Sequence, residues 1–217
     1  EYNPIETIKT NILGAQNIIE SAIDSGVKKV VSLSTDKAVS PINLYGATKL
    51  CSEKLFVSSN SIAGSKNITF SCVRYGNVIG SRGSVIPVFI DQLKQKYFTI
   101  TDPRMTRFVL TLNEGVELVL WTLQNSIGSE IVIPKIPSIK ITNIAKAIDS
   151  SLKIKKIGIR LGEKVHEDLM TDAESSNALE LNDKFILLPS INKKYINHYK
   201  KFSKKIKRLN NFSYSSN

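Results

Sequence analysis

Tyr45 and Lys49 stand four residues apart in a stretch whose apolar residues recur at helical spacing, so both side chains project from one helix face. An ammonium beside a phenol favours the phenolate, which turns a poor base into one usable near neutral pH. A Y-x-x-x-K spacing is common on helix surfaces. It gains meaning from Ser34-Thr35-Asp36-Lys37, which closes a short β-branched run just upstream. Ligands of open α/β sheets sit beyond the carboxyl ends of strands, and there the two segments can meet. Without Tyr45, the Asp36-Lys37 pair would read as a solvated turn. A third segment, Arg74-Tyr75-Gly76-Asn77-Val78-Ile79-Gly80, leaves an apolar run for a glycine-bearing loop that lets backbone approach a ligand closely. Ordinary turn chemistry is the competing explanation for Asn77.

These residues need elements to carry them. Ile5, Ile8, Ile12, Ile18, Ile19, Ala22 and Ile23 recur at helical spacing behind an Asn3-Pro4 start, and Gly26 ends that helix. Residues 28–34 read as a buried strand, 44–62 as a helix and 68–75 as a second strand. Helix, strand, helix, strand predicts a parallel, doubly wound sheet. Beyond Gly83 the pattern loosens into an apolar stretch at 85–93, a helix from Asn113 to about Leu123, a strand at 131–133 and a helix from Thr142 to about Leu152. This later part is expected to form a smaller α/β substrate domain. The expected division gives residues 1–83, with 105–125 returning, to the sheet domain, and 84–104 with 126–217 to the substrate domain. No internal repeat is present.

Hydrophobic residues make up 41% and charged residues 23% of the 217, as in soluble proteins, and no apolar run approaches the roughly 20 residues of a membrane-spanning helix. Cys51 and Cys72 are too few for a disulfide framework; both are expected to be buried free thiols, which favours a reducing cytoplasm. Glu1-Tyr2-Asn3-Pro4 has neither the basic nor the apolar region of a secretory signal, and the sequence is expected to begin mid-protein. The net charge of +11 is concentrated in Lys193, Lys194, Lys200, Lys201, Lys204, Lys205, Lys207 and Arg208, within a basic tail at 193–217. In that tail Tyr195, Tyr199, Phe202, Ile206 and Leu209 fall at four- and three-residue steps, a stripe expected to dock on its own domain. The rival reading is a basic module for nucleic acid or anionic membrane.

Ser-Thr-Asp-Lys-Ala at 34–38 and Tyr-Gly-Ala-Thr-Lys at 45–49 resemble the active site of extended short-chain dehydrogenases/reductases. More narrowly they resemble the inverting UDP-N-acetylglucosamine 4,6-dehydratases, and Tyr2-Asn3-Pro4, Thr10-Asn11, 74–84, 105–108 and 159–167 fit the same family. Asp36-Lys37 is the informative pair, since retaining sugar-nucleotide dehydratases carry Asp-Glu there. The resemblance implies a Rossmann-type domain, UDP-N-acetylglucosamine as substrate and NADP or NAD as a cofactor regenerated in each turnover. It implies that Tyr45 is the base for the carbon 4 hydroxyl, which Thr35 holds, while Lys49 holds the cofactor ribose. Lys37 would then take the carbon 5 proton and a protonated Asp36 would assist loss of the carbon 6 hydroxyl, before hydride returns to carbon 6.

The same resemblance puts Asn11 on the water path to the active-site lysine, although a plain surface helix residue is its alternative. It puts Tyr75 and Gly76 beside the cofactor and Asn77 on the diphosphate or sugar. Arg104, Arg107 and Arg160 are candidate forks for a diphosphate, and Glu163 can receive ribose hydroxyls. Arg160 is the strongest, since 159–164 resembles the family's Arg-Pro-Gly-Glu-Lys segment, with Leu161 replacing proline. His166 follows in the same motif and is expected to be structural. No G-x-G-x-x-G is present, so the N-terminal Rossmann half is expected in cis or as a second polypeptide. Phe212 to Ser216 resembles a late family segment that normally continues. A homo-oligomer is expected, with no metal, no nucleic acid and no transmembrane segment.

Overall fold

The computed structural model describes residues 3–203 and 205–217; Glu1, Tyr2 and Lys204, named above, lie outside them. In chain order the elements begin with α1 (Pro4–Ile8), a π-helical segment (Lys9–Leu13), α2 (Gly14–Asp24), β1 (Lys29–Thr35), a 3₁₀ turn (Asp36–Ala38), α3 (Leu44–Ile62) and β2 (Thr69–Tyr75). There follow β3 (Asn77–Val78), α4 (Val85–Gln92), β4 (Tyr97–Ile100), β5 (Thr106–Leu110), α5 (Leu112–Asn125), β6 (Ile131–Pro134), β7 (Ser138–Lys140) and α6 (Ile141–Ile148). The last are β8 (Lys153–Lys156), β9 (Asp168–Met170), α7 (Asp172–Ser175), β10 (Ala178–Glu180), β11 (Lys184–Leu187), α8 (Lys193–Tyr199), β12 (Lys207–Arg208) and β13 (Tyr214–Ser215). These fall into two compact units: residues 1–75, 116–135 and 168–214, and residues 76–115, 136–167 and 215–217.

The first unit holds a six-stranded sheet in the order β1-β2-β6-β11-β10-β12. β1, β2 and β6 run parallel, and the remaining pairs are antiparallel. β2 is buried from Phe70 to Arg74 and β6 from Ile131 to Ile133, the signature of strands covered on both faces. The core gathers Val73, Val132, Leu179, Ile186, Tyr195 and Tyr199, with Leu118 of α5 packed on it. Each such apolar side chain taken from water contributes about 1.5–3 kcal/mol. β1 is an edge, and Leu33 on it is half exposed, as are Val116 and Leu120 of α5.

The second unit contains a three-stranded sheet, β3-β5-β7, and a parallel pair, β4-β8. β4 alternates, burying Phe98 and Ile100, and these pack with Phe89 of α4 and with Ile144 and Ala145 of α6. The Phe89 and Phe98 rings lie 5.1 Å apart at a tilt of 47°, a favoured aromatic geometry. Gly76 enters this unit where a Cβ would lie 2.5 Å from Phe108 Cβ and 2.7 Å from its carbonyl oxygen, so packing alone demands glycine there.

Several expectations are corrected. β6, β10, β11 and β12 belong to the sheet unit, not to the substrate domain expected at 126–217, and β5 belongs to the second unit although 105–125 was expected to return to the first. Hydrophobic period identifies a strand but not its partner, and partner choice decides the boundary. The first helix is interrupted by a π segment at Lys9–Leu13, and only the part beyond it buries residues, Ala15, Ile19 and Ala22. Asn3 precedes Pro4 as expected, but its side chain makes no cap bond. Cys51 is exposed; it points away from the face of α3 that buries Thr48, Ser52, Glu53 and Phe56. The tail stripe bears on its own unit, with Tyr195 and Tyr199 buried and Ile206 against the same core. Among the described residues no helix is long and apolar enough to cross a membrane, and no His, Cys, Asp or Glu cluster could hold a metal.

Candidate active site

In the first unit, the 3₁₀ turn at the carboxyl end of β1 places Asp36 and Lys37 at the mouth of the parallel strands. Asp36 is fully buried; its Oδ1 accepts Thr35 Oγ1 at 2.9 Å and Lys37 Nζ at 3.0 Å, while Oδ2 has no hydrogen-bond partner among the described residues. A buried carboxyl oxygen left unmatched is costly, and such atoms mark places where a proton or a ligand group completes the site. α3 begins beside it: Asn43 caps the helix by accepting Gly46 N–H at 2.8 Å. A Cβ at Gly46 would fall 2.2 Å from the Lys37 carbonyl oxygen, so glycine is what lets the first turn of α3 press on the Asp36-Lys37 turn.

Tyr45 is 44% exposed and open to a ligand. One turn on, Lys49 donates to the Leu33 carbonyl at 2.7 Å, and burial lowers its pKa while Cys72 and Glu53 act against that shift. Asn11, inside the π segment, donates to Thr48 Oγ1 at 3.0 Å, and that hydroxyl donates to the Tyr45 carbonyl at 2.9 Å. Asn11 thus braces the backbone of the tyrosine. Tyr75 packs its ring along the core, and burial raises its pKa. Thr35, Asp36, Lys37, Tyr45, Lys49 and Asn11 are therefore all carried by one unit. As a donor set, a half-exposed phenol with an ammonium one turn away suits the nicotinamide-ribose end of a dinucleotide.

The second unit has a cleft of about 310 Å³ lined by Asn77, Ser84, Arg107, Arg160 and Glu163 among apolar residues. Asn77 Oδ1 and Ser84 Oγ are both buried in it without a hydrogen-bond partner among the described residues. Arg160 and Glu163 meet on its rim, where Glu163 Oε2 accepts the Arg160 backbone N–H at 3.1 Å. Arg107 lines the cleft, yet its guanidinium is committed to the carbonyls of Thr106, Lys164 and Val165. Arg104 is not brought here. It forks onto Asp102 at 2.9 and 3.1 Å, holding that carboxyl well below the usual range together with Lys156, and it faces a separate cleft with Lys140 and His166. His166 Nδ1 bonds Thr106 Oγ1 at 2.7 Å, and Leu161, in the usual proline position, is fully exposed.

Sequence reasoning missed Ser84, Gly46 and the buried charges. Ser84 reads as a helix cap before Val85 and occupies that position without capping. Arg74 did give a signal, because a charged residue amid Phe70-Ser71-Cys72-Val73 must be paired if the strand is buried.

The parallel strands β1, β2 and β6, with the candidate site at their carboxyl ends, define a Rossmann-type α/β protein. Residues 1–189 match the family described as polysaccharide biosynthesis protein, and the chain belongs to that family. It is 51% identical to a UDP-N-acetylglucosamine 4,6-dehydratase (inverting) of Campylobacter jejuni, over all of this chain and 66% of that protein. It is 40% identical to a UDP-glucose 4-epimerase of Rickettsia conorii, over 98% of this chain and 64% of that one. The crystal structure of Pen from Bacillus thuringiensis matches with a TM-score of 0.90 at 42% identity, over all of this chain and 66% of that chain. The chain thus spans somewhat under two thirds of the length of these relatives.

Proposed function

We infer that this chain carries the catalytic residues of an NAD(P)-dependent 4,6-dehydratase that converts UDP-N-acetylglucosamine into a UDP-4-keto-6-deoxy sugar with inversion at carbon 5. The observation that carries the reading is the buried Asp36, one carboxyl oxygen unmatched, paired with Lys37 beside the Tyr45–Lys49 helix. When bound, the dinucleotide would accept hydride from carbon 4 and return it to carbon 6. Tyr45 removes the proton of the carbon 4 hydroxyl, which Thr35 orients. Lys49 holds the cofactor ribose and keeps positive charge one turn from the phenol. The new ketone acidifies carbon 5, from which Lys37 takes a proton; Asp36, protonated, delivers one to the departing carbon 6 hydroxyl. A proton returned to carbon 5 on the opposite face inverts that centre.

The epimerase relatives favour a second reading, but carbon 4 epimerisation needs only a base and hydride transfer. It leaves Asp36-Lys37 without a task. The cleft of the second unit is the candidate site for the uridine diphosphate, with Arg160 as phosphate ligand, Glu163 as ribose acceptor, and Asn77 and Ser84 offering the unmatched polar atoms. Charge-assisted hydrogen bonds are worth about 1.5–3 kcal/mol, so Arg160→Ala should weaken UDP binding by roughly 10- to 150-fold in titration calorimetry. Arg104→Ala should leave it unchanged. Equal affinity of Arg160→Ala and the unmodified protein would remove Arg160 from the site.

A further inference from the structure

We propose that Glu53 is a positioning residue of the dehydration site: its buried carboxylate fixes the strand carrying Thr35, Asp36 and Lys37 against the helix carrying Tyr45 and Lys49. The catalytic consequence rests on the dehydratase reading; the fastening itself rests on geometry. Tyr45, Lys49 and Glu53 follow at four-residue steps and share a face of α3. The Glu53 carboxylate binds outward to two strands. Its Oε2 accepts the Ser34 hydroxyl at 2.7 Å and Arg74 Nε at 3.0 Å, and its Oε1 accepts Arg74 Nη2 at 2.6 Å. Ser34 immediately precedes Thr35, so this bond, beside that from Lys49 to the Leu33 carbonyl, joins the helix to the reacting end of β1.

Arg74 cannot follow Glu53 elsewhere. Its other N–H groups donate to both oxygens of Glu174, at 3.0 and 2.9 Å, and to the Leu169 carbonyl at 3.0 Å, so the guanidinium is saturated. Buried ion pairs are a poor source of stability, because apolar residues of like volume often serve as well. What a doubly bidentate fork adds is orientation. Two turns earlier Gly46 seats the same helix on the Lys37 carbonyl, so α3 is fastened to the Thr35–Lys37 segment at two points. Glu53 also faces the charge of Lys49. Cys72 and Glu53 both act against the effect of burial on Lys49, and burial pushes the Cys72 thiol itself up to about 12.

The test uses Glu53→Gln and Ser34→Ala, with the Lys49 amine titrated by pH-dependent acylation read at that residue by mass spectrometry, and with kinetics of the full-length protein. In Glu53→Gln the Lys49 midpoint should move to lower pH and the basic limb of the kcat profile should move with it. Its kcat should fall roughly 10- to 100-fold with KM for the UDP-sugar little changed, as expected when reacting groups are displaced by about 1 Å. Ser34→Ala should lower kcat less and leave the Lys49 midpoint in place. A merely structural Glu53 would lower the unfolding temperature but leave kcat per folded molecule and the Lys49 midpoint unchanged, and that outcome overturns the proposal. If Glu53→Gln does not fold, an unchanged kcat in Ser34→Ala overturns it instead. Should the unmodified full-length protein lack dehydratase activity, the functional reading falls, and the Lys49 titration still decides whether Glu53 sets its surroundings.

Discussion

Lys37→Ala in the full-length protein should oxidise its substrate and then stall. Tyr45 is the base for the carbon 4 hydroxyl and Lys37 the base for carbon 5, and the two side chains come from different elements, α3 and the turn after β1. Their removal should therefore stop different steps. In Lys37→Ala, absorbance of the reduced dinucleotide should build up with no release of the 4-keto-6-deoxy sugar. Tyr45→Phe should suppress even that absorbance, since a hydroxyl that keeps its proton does not give up hydride. Loss of one positioned proton transfer costs about 100- to 10,000-fold in rate. The variants remain folded on this view, because Lys37 is partly exposed and Asp36, with which it pairs, keeps the Thr35 bond. Normal turnover by Lys37→Ala, or undiminished reduction by Tyr45→Phe, would contradict the assignment.

Glu130→Ala should be among the most damaging substitutions for stability. The fully buried Glu130 carboxylate accepts four hydrogen bonds: from the backbone of Ile127 at 2.7 Å and Gly128 at 2.7 Å, and from Ser71 at 2.9 Å and Tyr199 at 2.9 Å. It thereby ties the turn before β6 to β2 and to α8, and Tyr195 adds a bond to the Gly128 carbonyl at 2.8 Å. Burial and the neighbouring carboxylate push the Tyr199 phenol far above its ordinary value, so it donates at any working pH. Removing the acceptor strands four donors, three of them in buried bonds, each buried one costing about 1–3 kcal/mol before relaxation, and the breaking of comparable buried networks costs about 3–5 kcal/mol. For a chain of this size that corresponds to a fall in Tm of roughly 6–20 °C. Glu130→Gln, which keeps shape and one acceptor oxygen, should lose less. A Tm for Glu130→Ala within about 2 °C of the unmodified protein would show that the network is not what holds α8 in place.

The parts of the molecule legible from sequence are those set by local rules. Tyr45 and Lys49 share a face because a helix has a fixed period, and the strand–turn–helix order brings Asp36 and Lys37 near them whatever the rest of the sheet does. The parts that were not legible depend on partners distant in sequence. Nothing near Ile131 says that it lies beside Cys72, and nothing near Phe185 says that β11 pairs with β6, so the domain boundary was misplaced. Among the arginines, local sequence does not distinguish Arg160, exposed at the cleft, from Arg104, taken by Asp102, or Arg107, taken by carbonyls. The close approach of Phe108 to Gly76 likewise joins residues distant in sequence.

The most direct test incubates the full-length protein with UDP-N-acetylglucosamine in heavy water and follows the sugar by NMR. Tyr45, Asp36 and Lys37 acting as assigned predict loss of the carbon 6 hydroxyl, a ketone at carbon 4, a methyl group at carbon 6, and deuterium at carbon 5 on the face opposite the proton removed. A product that retains its carbon 6 hydroxyl and the carbon 5 proton, changed only in configuration at carbon 4, would contradict it and identify an epimerase.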